Sequence, residues 1–283
     1  MIIFIHVPKT AGTTMASIIR QNYPPEHRLR VAYYHAQAPN TKAETILNRH
    51  DFEQLSSDQK QPLRIILSDM PFGMHKMLPQ GAKARYLTSL RHPVDRIISY
   101  YYYIRSRPES EAYQEMTAQN ASLEDVTEAL DFQNSQTRKL LGIEKIAGKD
   151  RPVTLDDIDQ VKQNLADYFL FAGVSKRFDE SLVLMKQTLG WPNIFYTRRN
   201  VTRKRPTVTQ IAEETRQKIA AANAIDMQLY DYVSDHFDAL VRQQGEPFQH
   251  KVRQFQRLNA LYNRMRMARQ RLGQVKRRVV QLV

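Results

Sequence analysis

The N-terminal stretch Ile2-Ile-Phe-Ile-His-Val-Pro-Lys-Thr-Ala-Gly-Thr-Thr14 decides the fold of this 283-residue chain. Its first four residues form a short continuous apolar run, which is typical of a parallel strand covered on both faces. Pro8 and Gly12 end the run, and apolar residues at helical spacing follow from Met15 onward. A strand, a turn of small residues and a helix N-terminus bring backbone N–H groups together, so this stretch predicts an anion-binding site.

Similar apolar runs recur at Arg64 to Ser68, Tyr86 to Leu90 and Tyr168 to Val174. Between them lie segments with helical spacing and helix-start signals such as Thr154-Leu-Asp-Asp157. Strands that alternate with helices predict a parallel, doubly wound sheet. We therefore expect an α/β protein with a central parallel sheet of the P-loop-NTPase type, flanked by helices.

The amino-acid composition limits which kinds of catalytic and metal site the chain can form. With 42% hydrophobic residues, the chain can bury a full core, and its length suits one catalytic domain with an appendage. The absence of cysteine excludes disulfides, a thiolate nucleophile and Cys-ligated zinc, while the eight histidines form no metal-ligand motif. The sequence thus predicts metal-free chemistry.

Neither a signal-type leader nor an apolar run of about 18 residues is evident in the sequence, so we expect a soluble, cytoplasmic protein.

The net charge of +13 is concentrated at the C-terminus. Residues 247–283 carry ten Lys or Arg and no Asp or Glu, so residues 1–246 carry only +3, and we expect no nucleic-acid partner. The tail also repeats apolar residues at alternating spacings of three and four, namely Leu258, Leu261, Met265, Ala268, Leu272, Val275, Val279 and Leu282. This heptad seam predicts one long basic helix after a catalytic domain of residues 1–246. We expect the seam to pack on that domain or on a second copy of the chain, with docking on an anionic surface as the alternative.

The stretch Phe4 to Thr14 resembles the 5'-phosphosulfate loop of the carbohydrate sulfotransferases, the group that includes the heparan sulfate 2-O and 6-O enzymes and bacterial-type sulfotransferase family 2. The lysine precedes the turn here, whereas in a Walker A loop it stands directly before Ser or Thr at the helix start. The resemblance implies 3'-phosphoadenosine 5'-phosphosulfate (PAPS) as co-substrate, with Lys9 at the oxygen that bridges phosphate and sulfate. It also implies a binding loop made of Lys9, Thr10, Ala11, Gly12, Thr13 and Thr14.

A second segment, Tyr86 to Ser99, resembles the 3'-phosphate element of the same group. By that match Arg91 and Ser99 bind the 3'-phosphate. The chemistry agrees independently, because arginine offers a forked donor to phosphate and Ser99 adds a hydroxyl on the helix that begins near Pro93. The resemblance spans about residues 1–235 and implies in-line transfer of a sulfuryl group to a carbohydrate hydroxyl.

The group that takes the acceptor proton departs from the family pattern. Related enzymes usually carry a histidine at the position of Asp69, which follows the apolar run that ends at Ser68. We expect burial to raise the pKa of Asp69 so that it can serve as the base, with His75 as its rival and His35 third. His6 is interpreted as a structural hydrogen-bonding residue.

On the acceptor side we expect His35 and Arg138, together with Arg203 from the basic cluster Arg203-Lys-Arg205. Two other functions stay open. One is a P-loop-type nucleotide kinase, although the chain lacks the Walker A lysine and an evident aspartate motif for Mg²⁺. The other is a catalytically inactive homologue that binds a nucleotide or a polyanion.

Overall fold

The computed structural model describes residues 1–32, 46–129, 132–143, 151–197 and 205–280, with the side chains of the last helix described as far as residue 270. Within these ranges six parallel strands form one sheet in the order β3-β2-β4-β1-β5-β6. They are β1 (Ile2–Ile5), β2 (Arg28–Val31), β3 (Ile46–Leu47), β4 (Ile65–Ser68), β5 (Arg85–Leu90) and β6 (Phe169–Val174). The expected α/β class with a central parallel sheet is confirmed.

Helices connect and flank the strands. The described residues contain α1 (Gly12–Asn22), α2 (Arg49–Gln54), α3 (Ser57–Lys60), α4 (Pro93–Arg105), α5 (Glu111–Ala118), α6 (Leu123–Glu128), α7 (Ser135–Leu141), α8 (Asp157–Tyr168), α9 (Phe178–Leu189), α10 (Glu213–Ala222), α11 (Ala224–Gln243) and α12 (Gly245–Val280). In the described ranges, no helix has both the length and the apolar character needed to cross a bilayer.

The central strands are buried along nearly their whole length and are mostly apolar, because helices cover both faces of the sheet. All four residues of β4 are buried, as are Ile3, Phe4 and Ile5 of β1. The four predicted apolar runs correspond to β1, β4, β5 and β6 within one residue at each end. The sequence analysis missed β2, whose Arg28-Leu-Arg-Val31 alternates between partly exposed and buried positions.

The parallel register brings the carboxyl ends of the central strands to one edge. Ile5 of β1 pairs with Ser68 of β4 on one side and with Thr88 of β5 on the other. The segments that leave these three strands therefore start side by side. Ligands of open parallel sheets bind at this edge, outside the carboxyl ends of the strands.

The first turns of α12 pack on the rest of the chain. Phe248, Val252 and Phe255 lie in the same hydrophobic cluster as the sheet. Tyr262 stacks on Phe195 with ring centroids 5.4 Å apart, and the Tyr196 N–H donates to the Asn259 side chain over 2.9 Å. Aromatic and amide contacts thus decide which face of α12 is buried, and the domain division at residue 246 stays a prediction.

The heptad seam lies on a different face of α12. Leu258, Leu261 and Met265 are 45%, 50% and 50% exposed. The expectation that the seam packs on the catalytic domain is therefore wrong for these three residues, because the buried face is the aromatic one. The side chains of the later seam positions lie outside the described residues.

Candidate functional site

A cavity of about 560 Å³ lies at the carboxyl edge of the sheet, between the segment that leaves β1 and the segment that leaves β5. A volume of this size is typical of small-molecule sites. Most of the predicted co-substrate residues line it, namely Lys9, Ala11, Gly12, Thr13, Thr14, Arg91 and Ser99. Two segments about 80 residues apart in the sequence therefore meet in one cavity.

The loop between β1 and α1 is held in a sharp turn that aims the helix N-terminus at the cavity. Lys9 and Ala11 have φ angles of 70° and 68°, a left-handed conformation that is unfavourable for residues other than glycine. Thr14 N and Met15 N donate to the Ala11 carbonyl, and the first turn of α1 contains no acidic residue. The positive end of the helix dipole therefore faces the cavity without an acidic side chain of its own first turn.

Thr10 holds this turn from the inside. Its hydroxyl donates to the Val7 carbonyl over 2.8 Å, and the residue is 1% exposed. It does not line the cavity. Its side chain therefore stabilises the loop, whereas we had expected it among the residues that bind the co-substrate.

Lys9 lies among other cations. Its Nζ is 3.6 Å from the centre of the Tyr103 ring, and its carbonyl accepts a hydrogen bond from Arg91 Nη1 over 2.9 Å. Burial, together with the charges of Arg91, Arg107 and Arg205, lowers the pKa of Lys9 to about 8. A bound anion would relieve this repulsion, so the electrostatics of the loop favour a negatively charged ligand.

Arg91 and Arg205 are joined by one carboxylate. Asp95 Oδ2 accepts from Arg91 Nε, and Asp95 Oδ1 accepts from Arg205 Nη2, each over 2.7 Å. Burial raises the pKa of Asp95, but the hydrogen bonds and charges of the two arginines outweigh it and lower that pKa overall. Arg205 lines the cavity, whereas Arg203, the residue predicted from the same basic cluster, lies outside the described residues.

Gln136 fixes the backbone of Arg91. Its Oε1 accepts from Arg91 N over 3.0 Å, and its Nε2 donates to Arg91 O over 2.8 Å. Gln136 is fully buried in the first turn of α7, and its own N–H donates to Asp226. The sequence analysis missed this residue because nothing local to it signals a pairing 45 positions away.

Asp69 is held by two partners. Its Oδ1 lies 2.7 Å from His6 Nδ1, and its Oδ2 accepts from Arg30 Nη2 over 2.7 Å and from Arg30 Nε over 3.1 Å. Burial alone raises the pKa of Asp69, but the hydrogen bond and charge of His6 and the charge of Arg30 outweigh it and hold the pKa well below its usual range. The expectation of a raised pKa is wrong, because neutralising partners accompany the burial.

His75 lies elsewhere. Its backbone N and its Nδ1 each lie 2.8 Å from Tyr86 Oη, and its ring stacks on Tyr168 at 4.8 Å. Tyr86 is the second residue of β5, and Arg91 follows five residues later, roughly 16 Å along the chain direction. Burial and the charge of Lys76 lower the pKa of His75. The structure thus places His75 in an aromatic cluster away from Lys9.

The remaining expected residues do not line the cavity within the described ranges. Arg138 is 7% exposed in α7 and is absent from the cavity lining, and His35 lies outside the described residues. Aromatic rings that were not predicted as site residues line the cavity instead, namely those of Tyr100, Tyr103, Phe178, Tyr196 and Tyr230. Flat apolar rings beside a cationic loop suit a ligand with both a planar group and phosphates.

Comparison with known proteins points to one enzyme class. The sequence pattern of the galactose-3-O-sulfotransferase family matches residues 1–278. Galactose-3-O-sulfotransferase 3 of Bos taurus is 27% identical over 251 residues, which cover 83% of this chain and 55% of the relative. Heparan-sulfate 6-O-sulfotransferase 2 of Gallus gallus is 24% identical over 271 residues, which cover 84% and 66%. The chain thus spans little more than half the length of the galactose-3-O-sulfotransferase relatives that it matches.

Proposed function

Because the chain belongs to the galactose-3-O-sulfotransferase family, we propose that it transfers a sulfuryl group from PAPS to a hydroxyl of a carbohydrate. The observation that carries the proposal is the meeting of two cationic segments in one cavity. The loop from Lys9 to Thr14 ends one strand, and Arg91 with Ser99 follows the neighbouring strand. A nucleotide that carries phosphates at both its 5' and 3' positions matches this pair of sites.

Each part of the donor has a matching part of the cavity. The 5'-phosphosulfate would lie at the N-terminus of α1, where backbone N–H groups and the helix dipole favour an anion. Arg91, Ser99 and Arg205 would surround the 3'-phosphate. The rings of Phe178, Tyr196 and Tyr230 offer stacking surfaces for the adenine.

In the proposed reaction the acceptor oxygen attacks sulfur, and the bond between sulfur and the 5'-phosphate oxygen breaks. The electron pair of that bond stays with the phosphate oxygen, while the acceptor loses its proton. The Lys9 ammonium, which belongs to a residue lining the cavity, would stabilise the charge that develops on the leaving oxygen. In-line transfer needs the acceptor on the far side of sulfur, so the protein contributes mainly by holding both partners in position.

A carbohydrate acceptor is proposed from the names of the relatives, which act on galactose or heparan sulfate. Galactose-terminated oligosaccharides are therefore the first acceptors to test. A nucleotide kinase finds no support in the family assignment, and the lysine of the loop precedes the turn.

Calorimetry with 3'-phosphoadenosine 5'-phosphate (PAP) and with ATP tests the donor site. We expect micromolar affinity for PAP, much weaker affinity for ATP, and loss of PAP binding in Arg91→Ala. Arg105→Ala is the matched control, because Arg105 is an exposed arginine in the last turn of α4, the helix that begins two residues after Arg91. Tight ATP binding without PAP binding would overturn the proposal, as would failure of labelled PAPS to sulfate any carbohydrate acceptor.

A further inference from the structure

His6 and Asp69 are brought together by the register of the sheet. Each is the first residue after a strand, and the last residues of those strands, Ile5 and Ser68, are paired. His6 N continues the pairing by donating to Ser68 O over 2.7 Å. The side chains meet at 2.7 Å between His6 Nδ1 and Asp69 Oδ1, and each is 21% exposed.

This contact decides which nitrogen of His6 carries the proton. An ionised carboxylate only accepts hydrogen bonds, so the neutral ring donates from Nδ1 and keeps a lone pair on Nε2. Arg30 binds the second oxygen of Asp69 through two N–H groups. The carboxylate is therefore fixed in orientation and ionised, and it fixes the ring in turn.

The other edge of the His6 ring faces the phosphate loop. A Cβ built on Gly12 would lie 1.9 Å from His6 Cδ2 and 2.0 Å from His6 Nε2. Gly12 is the first residue of α1, and His6 lines the same cavity as Lys9. Among the hydrogen bonds of the described residues, none involves Nε2. The lone pair thus lies at the end of α1 where the phosphosulfate is proposed to bind.

We propose that His6 is the general base of this reaction and that Asp69 is a positioning residue that orients it, an inference that rests on the proposed function. As the acceptor oxygen attacks sulfur, its proton passes to His6 Nε2. The bond from sulfur to the 5'-phosphate oxygen breaks, and PAP leaves with the electron pair. The imidazolium that forms is stabilised by the ionised Asp69, which itself takes up no proton.

The two rival groups are less suitable. Both oxygens of Asp69 already bind His6 and Arg30, and Asp69 does not line the cavity, so the carboxylate is poorly placed to meet an acceptor hydroxyl. His75 is bound to Tyr86 and does not line the cavity. In the described part of the cavity, His6 and His92 are the only imidazoles, and burial lowers the pKa of His92, which lies on Tyr230 rather than beside Gly12.

The first experiment separates the inference from the proposed function. Wild-type protein is assayed for PAP binding by calorimetry and for transfer from labelled PAPS to a galactose-terminated oligosaccharide. Absence of both overturns the proposed function. If both are present, His6→Ala is expected to lower kcat by about 100- to 10,000-fold, the usual contribution of a general base, with PAP affinity within about threefold of wild type.

Added imidazole is expected to restore part of the turnover of His6→Ala, which loss of a merely structural residue would not permit. His50→Ala is the matched control, because His50 is exposed in α2. Retention of kcat within threefold in His6→Ala would overturn the inference. So would a fall in activity that merely follows a loss of PAP affinity, since His6 would then belong to the binding loop alone.

Asp69→Asn tests the positioning role with a measurement that does not depend on turnover. Nitrogen-15 NMR of labelled histidine distinguishes a ring protonated at Nδ1 from one protonated at Nε2. We expect the Nδ1 form of His6 in the wild type and a larger share of the Nε2 form in Asp69→Asn, together with an unchanged KM for PAPS and a kcat at least tenfold lower. A wild-type ring protonated at Nε2 would contradict the assignment.

Discussion

The substitution Gly12→Ala tests the contact between the phosphate loop and the His6 ring. The new Cβ would lie 1.9 Å from His6 Cδ2, whereas non-bonded carbon atoms need well over 3 Å. Either the ring withdraws by roughly 1 Å or more, or the start of α1 moves away. Withdrawal breaks the 2.7 Å contact with Asp69, and a hydrogen bond to a charged group contributes about 1.5–3 kcal/mol. We therefore expect kcat/KM for PAPS to fall by at least about tenfold.

A double mutant shows whether the two residues act on each other. In Gly12→Ala combined with His6→Ala the collision is gone, so PAP affinity should return to within about threefold of the His6→Ala protein, while turnover stays low. Gly190→Ala is the control for an added Cβ far from the cavity: the φ of 66° makes this substitution strained, but its Cβ would meet nothing within 4 Å, so we expect kcat/KM for PAPS to stay within threefold. Wild-type kcat/KM in Gly12→Ala would refute the reasoning. Defects in PAP affinity that simply add in the double mutant would refute it as well.

Three further outcomes are expected. The pKa of Lys9 is lowered to about 8, and a bound anion favours the charged form of Lys9. Because Lys9 loses its proton between pH 7 and pH 9, PAP affinity measured by calorimetry should fall about tenfold over this range. Lys9→Arg should remove this pH dependence. His75→Ala should lower the free energy of unfolding in urea by about 1–3 kcal/mol through the lost contact with Tyr86, yet leave kcat within threefold. In the sequence, an arginine stands directly before every second position of the heptad seam, at 257, 264, 271 and 278, so pairing of two copies along the seam would bring like charges together. We therefore expect light scattering to show a monomer. A dimer that is lost on deletion of residues 268–283 would contradict this expectation.

The meeting of the two cationic segments at one cavity could be predicted because the signals of each segment are local. A buried strand, a turn and a helix start follow one another within fourteen residues, and Arg91 follows its strand directly. The local sequence of each segment determines its backbone conformation. The parallel arrangement of the strands then brings the two segments to the carboxyl edge of the sheet. β2 was missed because its alternating Arg28-Leu-Arg-Val31 lacks a continuous apolar run, and Arg30 was missed with it.

The base and its partners could not be predicted because their contacts join residues far apart in the sequence. His6 and Asp69 are 63 positions apart, and Asp69 and Arg30 are 39 apart. Their meeting depends on the order β2-β4-β1, which a sequence without pairing information leaves open. Burial of Asp69 suggested a raised pKa, but the sign of the shift depends on which cations lie beside the carboxylate.

The register also bears on the departure at Asp69, where the resemblance to the carbohydrate sulfotransferases implies a histidine and we propose His6 as the base instead. The carboxyl ends of β4 and β1 are adjacent, and neighbouring strands lie about 4.8 Å apart. A base moved from one strand end to the other therefore stays within reach of the same sulfur. A carboxylate bound to Arg30 is a weak base at neutral pH, but it selects the His6 tautomer that can accept a proton on the cavity side. Replacing Asp69 with histidine should therefore not restore the usual arrangement by itself. With His6 and Arg30 still in place, Asp69→His would remove the carboxylate that orients His6. We expect the kcat of Asp69→His to fall, and an unchanged kcat would mean that the new imidazole takes the proton.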